Sequence, residues 1–330
     1  LKKQIINVIK IVVPLGIGLY LAWYFFNQIE DKQKVYSVFS EANYLIIFIS
    51  VVLSWLSHYT RALRFKLLSI PMGYQIKKWH SYHAVMIGYF MNLLLPRAGE
   101  LSRAAYLSRY ENMPFEKAFG TILAERVIDI LMLLSICLLV GLAQYDKLPV
   151  LIDKFSEVKA NDQPQQGVSW FIYILILIAA VAIIFLILYL KSIKVREKIN
   201  NLIKGFFTGI TTIFKIKQKI LFVTYTLIIW FCYISMYVIC FYAVEQTANL
   251  PLAGIMLGFI AGSMGIIFVQ GGIGVYPVLV ATALALYDAD KDIVFAVAWI
   301  TWLAQTLLIV TAGAISMYFI PSKTINPHAK

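Results

Sequence analysis

The stretch Leu95-Pro96-Arg97-Ala98-Gly99-Glu100 interrupts an apolar run that begins at Trp79, and its reading sets the path of the whole chain. A second interruption, Gln270-Gly271-Gly272-Ile273-Gly274, ends the apolar run of residues 252–269. Proline breaks a helix and glycine permits backbone that other residues avoid, so neither run continues straight through. Each run either crosses a membrane and stops, or turns back as a hairpin.

Composition makes the membrane the frame for that choice. Of 330 residues 61% are hydrophobic, and the mean hydropathy is +0.78, too apolar for a water-solvated globule of this size. A hydrocarbon core of about 30 Å needs roughly 20 helical residues. Spans are predicted near residues 5–26, 44–61, 124–143, 168–190, 220–243 and 293–319. The first follows Lys2, Lys3 and Lys10 but ends in Trp23-Tyr24-Phe25-Phe26 without a small-residue cleavage site, so it reads as a retained helix. Cys137, Cys232 and Cys240 all fall in apolar runs and imply no disulfide framework.

The formal charge of +12 is spread over short segments between apolar runs, which argues for membrane topology and against a nucleic-acid face. Lys2, Lys3 and Lys10 place the N-terminus inside; Arg61, Arg64, Lys66, Lys77 and Lys78 mark a second inside segment. The eight Lys and Arg between Lys191 and Lys219 mark a third. The charge-mixed segments 30–41 and 144–167 read as outside. With ordinary crossings at the two breaks, Arg97 to Lys117 would fall outside; with two re-entrant hairpins, every basic cluster lands inside. The expected fold is therefore all-α integral membrane, with six spanning helices plus two re-entrant hairpins. Its first half is 1–143 with a hairpin at 79–110, then an external loop at 144–167, then a second half at 168–330 with a hairpin at 252–287. Three spans per half force the second half to be inverted relative to the first.

Chemistry-bearing residues concentrate between Asn92 and Asp129. Arg97, Glu100 and Arg103 recur every three residues on one helix face, and Glu125 and Asp129 stand i,i+4 with Arg126 between them. Ionised groups near a membrane core cost about 2.5–3.5 kcal/mol each on insertion scales, so they are placed there with partners. These charges are compatible with a substrate site or with a salt-bridge network that locks the hairpin to its neighbour. Gln270, Gly271, Gly272, Gly274 and Tyr276 read as an unwound turn, the alternative being helix packing through small residues. Gln305 shares a face with Trp299 and Trp302 in the last span and is a further substrate-binding candidate. His80 and His83 share a face without a third ligand, and His58 is isolated, so no metal site is expected. No nucleophile elbow or phosphate-binding loop is present, and neither a catalytic residue nor a cofactor is expected.

Taken in order, Asn92-x3-Pro96-x2-Gly99-Glu100-x2-Arg103, Glu125-Arg126-x2-Asp129 and Gly271-Gly272-Ile273-Gly274 resemble the flippase-like family that includes the membrane half of lysylphosphatidylglycerol synthases. The resemblance covers nearly the whole chain. It implies a bacterial inner-membrane protein, multi-pass with both termini cytoplasmic, that translocates an anionic or lipid-linked headgroup. Its partner would be that membrane lipid, with no nucleic acid. Gln270 and Tyr276-Pro277 depart from the family's usual residues around the paired glycines, pointing to a different headgroup. The chain reaches Lys330 soon after its last span, so lipid synthesis is not expected. Competing readings are a carrier of a small soluble anion, a membrane enzyme acting on polyprenyl phosphates, and a scaffold for envelope enzymes.

The topology predicts that a cysteine at Asp153 reacts with an impermeant thiol reagent in whole cells while one at Lys198 does not. The reverse labelling contradicts it.

Overall fold

A computed structural model describes residues 31–95, 98–145 and 215–319, together with isolated positions at 20, 23, 24, 26, 27, 200, 207 and 211. The spans expected at 5–26 and 168–190, most of the 144–167 loop, and Pro96 and Arg97 lie outside the described residues, apart from those isolated positions. The elements are α1 (Lys32–Glu41), α2 (Tyr44–Ser69), α3 (Lys78–Leu94), α4 (Ala98–Tyr110), α5 (Phe115–Ala143), α6 (Lys219–Tyr242), α7 (Glu245–Ala248), α8 (Leu252–Phe268), α9 (Val275–Ala285) and α10 (Lys291–Tyr318). Short 3₁₀ turns follow α2 and α8. This is an all-α, multi-pass membrane protein. Among the described residues α2, α5, α6 and α10 are long and apolar enough to cross a bilayer.

The helices of the bundle wear their polarity inward. In α2, Ser50, Ser54, Ser57, Arg61 and Arg64 recur at steps of three and four residues and are all buried, while Leu45, Phe48, Ile49 and Val52 are exposed. A helix in water has the opposite arrangement. The same outward apolar face appears in α5, where Ile130, Leu131, Leu134, Leu138 and Leu142 are exposed, and hydrocarbon is the solvent that tolerates it. Two sequence expectations are corrected here. Helix α2 runs on to Ser69, so Arg61 and Arg64 are buried helix residues and not loop charges. The segment read as an outer loop at 30–41 contains α1, which Asp31 caps by accepting from the Gln33 and Lys34 amides. Asp290 caps α10 in the same way and pairs with Lys34 at 2.7 Å. Burial alone would raise its carboxyl, but Lys34 and the amides of Ile293 and Asp292 outweigh that and hold it below the usual value.

Helices α2 and α6 run antiparallel along a shared seam. The Asn43 amide donates to the Ala243 carbonyl at 2.8 Å, Arg61 reaches Tyr233, Arg64 reaches Thr226, and Leu67 and Leu68 pack with Phe222. Between the long helices sit two helical hairpins, α3 with α4 and α8 with α9. They open at opposite ends of the bundle. The first is tied at its base by Glu111, which takes the Lys77 amide at 3.2 Å and the His80 ring at 2.5 Å. The second opens where Gly254 packs on the Tyr287 ring and Tyr287 donates to Gln144 at the end of α5.

Among the described residues, α3–α5 and α8–α10 are similar in length, helix by helix. Helices α3 and α8 each have 17 residues, α4 and α9 have 13 and 11, and α5 and α10 have 29 and 28. Even the caps agree: Leu95 (φ −135°, ψ 129°) donates to Met91, and Val269 (φ −113°, ψ 135°) donates to Gly265. Close approach inside each hairpin depends on glycine. A Cβ at Gly99 would collide with the Gly88 carbonyl and lie 2.6 Å from the Asn92 side chain, and one at Gly262 would lie 2.7 Å from the Tyr276 ring. Gly141 in α5 has nothing within 4 Å of the equivalent position.

Gly99→Ala is expected to cost about 1–3 kcal/mol through overpacking and to lower the thermal midpoint in detergent, whereas Gly141→Ala leaves it unchanged. Equal midpoints for the two variants contradict the close α3–α4 contact.

Candidate functional site

The deepest polar feature is built by α2, α4, α5 and α6. From α2, Arg61 Nη1 meets Asp129 Oδ2 at 2.6 Å and Arg64 Nη2 meets Asp129 Oδ1 at 2.9 Å. Arg64 Nε also approaches Glu125 Oε1 at 3.4 Å, while Arg103 Nη1 from α4 holds Glu125 Oε2 at 2.7 Å. Helix α6 supplies neutral oxygens, Thr226 to Arg64 and Tyr233 to Arg61, each at 3.3 Å. Tyr233 is also hydrogen-bonded to Tyr89 of α3 at 3.2 Å. The Arg64 side chain is fully buried and that of Glu125 is 1% exposed, so this network is screened from water. One further pair, Arg126 with Glu100 at 3.0 Å, lies nearer the surface.

Of the residues nominated from sequence, Glu100, Arg103, Glu125, Arg126 and Asp129 come together here. Their pairing differs from a simple zipper of α4 with α5: Asp129 is taken by the α2 arginines, which the sequence reading had assigned to a loop. Arg61, Arg64, Thr226 and Tyr233 were missed. Asn92 has a structural task, since its Oδ1 accepts the Gly99 amide at 2.7 Å and satisfies one of the free donors that open α4. A narrow crevice lined by Arg61, Gly88, Tyr89, Asn92, Arg103 and Arg126 adjoins the network; its volume of about 10 Å³ is on the order of one water molecule.

The second break comes to the same region from the other hairpin. Gly271, Gly272 and Gly274 have φ of 62°, 71° and 75°, left-handed backbone that favours glycine. The turn is therefore unwound rather than a packing stripe; the stripe lies earlier in α8, at Gly254, Gly258 and Gly262, facing Tyr287, Leu284 and Tyr276. Gly271 faces Leu93 at the tip of the first hairpin, with a Cβ there 3.1 Å from Leu93 Cδ2, so the two breaks adjoin. From α10 it is Trp302 that reaches the turn, its indole donating to the Gly271 carbonyl at 2.7 Å. Gln305 is half-buried one turn further on, and Tyr276 is buried at the start of α9. Gln270 closes α8 as the first residue of the 3₁₀ turn.

His83 meets Ser316 at 3.0 Å and His58 packs on the Tyr89 ring with centroids 4.5 Å apart. Among the described residues no group of three His, Cys, Asp or Glu is placed to hold a metal ion.

Removing one partner of a buried ion pair strands the other charge and costs about 3–5 kcal/mol. Asp129→Ala is expected to lose that much, while Arg126→Ala, at the half-exposed pair, loses about 1 kcal/mol or less. Equilibrium unfolding of both variants checks the ranking, and an equal loss contradicts it.

The family profile for the lysylphosphatidylglycerol synthase transmembrane region matches residues 11–313. Over 116 residues, 34% of this chain and 19% of the relative, the chain is 30% identical to the glycosyltransferase AglD of Haloferax volcanii. Over 131 residues, 39% of the chain and 36% of the relative, it is 28% identical to a UPF0104 membrane protein of Methanocaldococcus jannaschii. A UPF0104 membrane protein of Methanothermobacter thermautotrophicus is 26% identical over 124 residues, 36% of the chain and 35% of the relative. These alignments thus span roughly a fifth to a third of the relatives' lengths, and these relatives are archaeal. No solved structure matches the chain. The profile covers nearly all of the sequence and describes a membrane region, not a catalytic domain. The chain belongs to the flippase-like membrane family of the lysylphosphatidylglycerol synthase transmembrane region.

Proposed function

We propose that this protein moves an anionic or lipid-linked headgroup across a membrane, without altering it chemically, through the junction of its two helical hairpins. The observation that carries the reading is the meeting of the two breaks, Leu93 against Gly271, by hairpins that open at opposite ends of the bundle. In a bilayer that geometry supports reading both hairpins as re-entrant. A group held at the junction is then a short distance from either face, the arrangement alternating access requires.

Matched helix lengths and matched caps in the two halves support an inverted repeat of six spans and two hairpins. Its first half would be 1–143, its outer connection 144–167 and its second half 168–330, with both termini cytoplasmic. The antiparallel run of α2 against α6, the corresponding helices of the two halves, is what inversion demands. The charge supports an anion. Among the described residues the network holds four arginines, Arg61, Arg64, Arg103 and Arg126, against three carboxylates, Glu100, Glu125 and Asp129. Arg97 stands in sequence at the first break and adds another cation. The starts of α4 and α9 follow the two breaks, and helix starts carry partial positive charge. We assign Arg97, Glu100, Arg103, Glu125, Arg126, Asp129, Gln270, Gly271, Gly272, Gly274 and Tyr276 to the translocation site or its immediate support. Asn92 and Gln305 belong to its framework.

The test is reconstitution in vesicles with fluorescent phosphatidylglycerol or fluorescent phosphatidylcholine in one leaflet. Wild type is expected to equilibrate the anionic lipid faster than the zwitterionic one, and Arg97→Ala to lose most of that rate with its thermal midpoint unchanged. Equal rates for both lipids, or loss of folding together with transport, contradict the proposal.

A further inference from the structure

We propose that the open edge of the Arg103 guanidinium is the receptor for the transported group, an oxyanion with two unesterified oxygens such as a phosphodiester or free phosphate. This rests on the translocation reading above and names the atoms that make first contact.

Arg103 is 6% exposed. Its Nη1 is committed to Glu125, and its plane lies over the Phe65 ring with Cζ 4.4 Å from the centroid. Its Nε and Nη2, the two donors of the remaining edge, are buried and have no hydrogen-bonding partner among the described residues. Buried polar atoms are nearly always satisfied, and those of charged groups are the most expensive to leave unmade. The nearby carboxylates already have partners. Both oxygens of Glu125 are engaged, by Arg64 and Arg103, and both of Asp129, by Arg61 and Arg64. Glu100, the other carboxylate beside the crevice, is held by Arg126.

The idle edge has the geometry of a specific ligand. Nε and Nη2 form a planar fork with parallel N–H bonds, matched to two oxygens on one phosphorus or carbon. Arg103 lines the crevice, beside Gly88 and Gly99, where α3 and α4 approach each other closely. Arg61, on the same wall, has an Nε that is also buried without a partner. In the described conformation the crevice admits water only, so entry of the anion and widening between α3, α4 and α5 are one event. A lysine in place of Arg103 keeps a cation beside Glu125 and loses the fork, which separates directional recognition from charge.

Wild type, Arg103→Lys and Arg103→Gln, held in phosphatidylcholine nanodiscs, are titrated calorimetrically with inorganic phosphate and with dihexanoyl phosphatidylglycerol. Wild type is expected to bind at least one probe, and both variants to bind it at least tenfold more weakly. Binding of the phosphatidylglycerol alone identifies a lipid headgroup as the source, and binding of inorganic phosphate with equal affinity identifies the free anion. Either result supports the fork. Wild-type binding of neither probe, or binding by a folded variant within twofold of wild type, overturns it. If one variant fails to fold the other carries the comparison. Transport in the vesicle assay distinguishes the two claims: unchanged flipping and unchanged binding in Arg103→Lys reject the fork and leave translocation standing, whereas a wild type that flips no lipid rejects translocation.

Discussion

Ionised groups inside an apolar bundle must neutralise one another, and that constraint organises the described structure. The network of Arg61, Arg64, Arg103, Glu125 and Asp129 is buried, where each charge alone would cost about 2.5–3.5 kcal/mol on insertion scales. Mutual pairing offsets that cost only when α2, α4 and α5 stand at fixed distances, since a hydrogen-bonded ion pair tolerates little displacement. Helix α6 is drawn in by Thr226 and Tyr233, and α3 by the Tyr89 to Tyr233 contact. Hairpin α3–α4 is thereby tied to α5 and α6 through Arg103 and Tyr89.

Helices α2–α5 and α6–α10 divide the chemistry. Among the described residues the ion pairs inside the bundle belong to α2, α4 and α5, while α6, α9 and α10 offer neutral groups. Counting from the starts of α5 and α10, Glu125, Arg126 and Asp129 correspond to Thr301, Trp302 and Gln305. The helices around the second break thus give shape: a left-handed glycine turn and an indole donor fixing it. One side of the junction is electrostatic and rigid, and the other lets backbone approach closely.

Much of this was legible in the sequence because hydrophobic length and helix breakers act locally. Three glycines within four residues and a proline after an apolar run mark their breaks whatever surrounds them, and helix pairs α3–α4 and α8–α9 lie on either side of them. The pairing of Arg103 with Glu125 was within reach, since both stand out against apolar neighbours. Arg61 and Arg64 were not, because counting charges along the chain ends a span at the first arginine. The missed signal was periodic: Ser50, Ser54, Ser57, Arg61 and Arg64 form one stripe at helical steps, which marks an inward polar face and not a helix end. Thr226 and Tyr233 left no trace at all, since a threonine or tyrosine in a long apolar span reads the same whether it bonds a buried arginine or lines lipid. The depth of the site is a tertiary fact, set by which helices run antiparallel.

The central claim is that a headgroup passes through the junction of the two hairpin tips, and closing that junction tests it most directly. In a background lacking Cys137, Cys232 and Cys240, cysteines at Leu93 and Ile273 are bridged with a short, reducible bis-methanethiosulfonate and lipid movement is followed in vesicles before and after reduction. The account predicts that the cross-link forms in high yield, stops phosphatidylglycerol movement, and releases it when reduced. A quantitative cross-link with undiminished transport would contradict it.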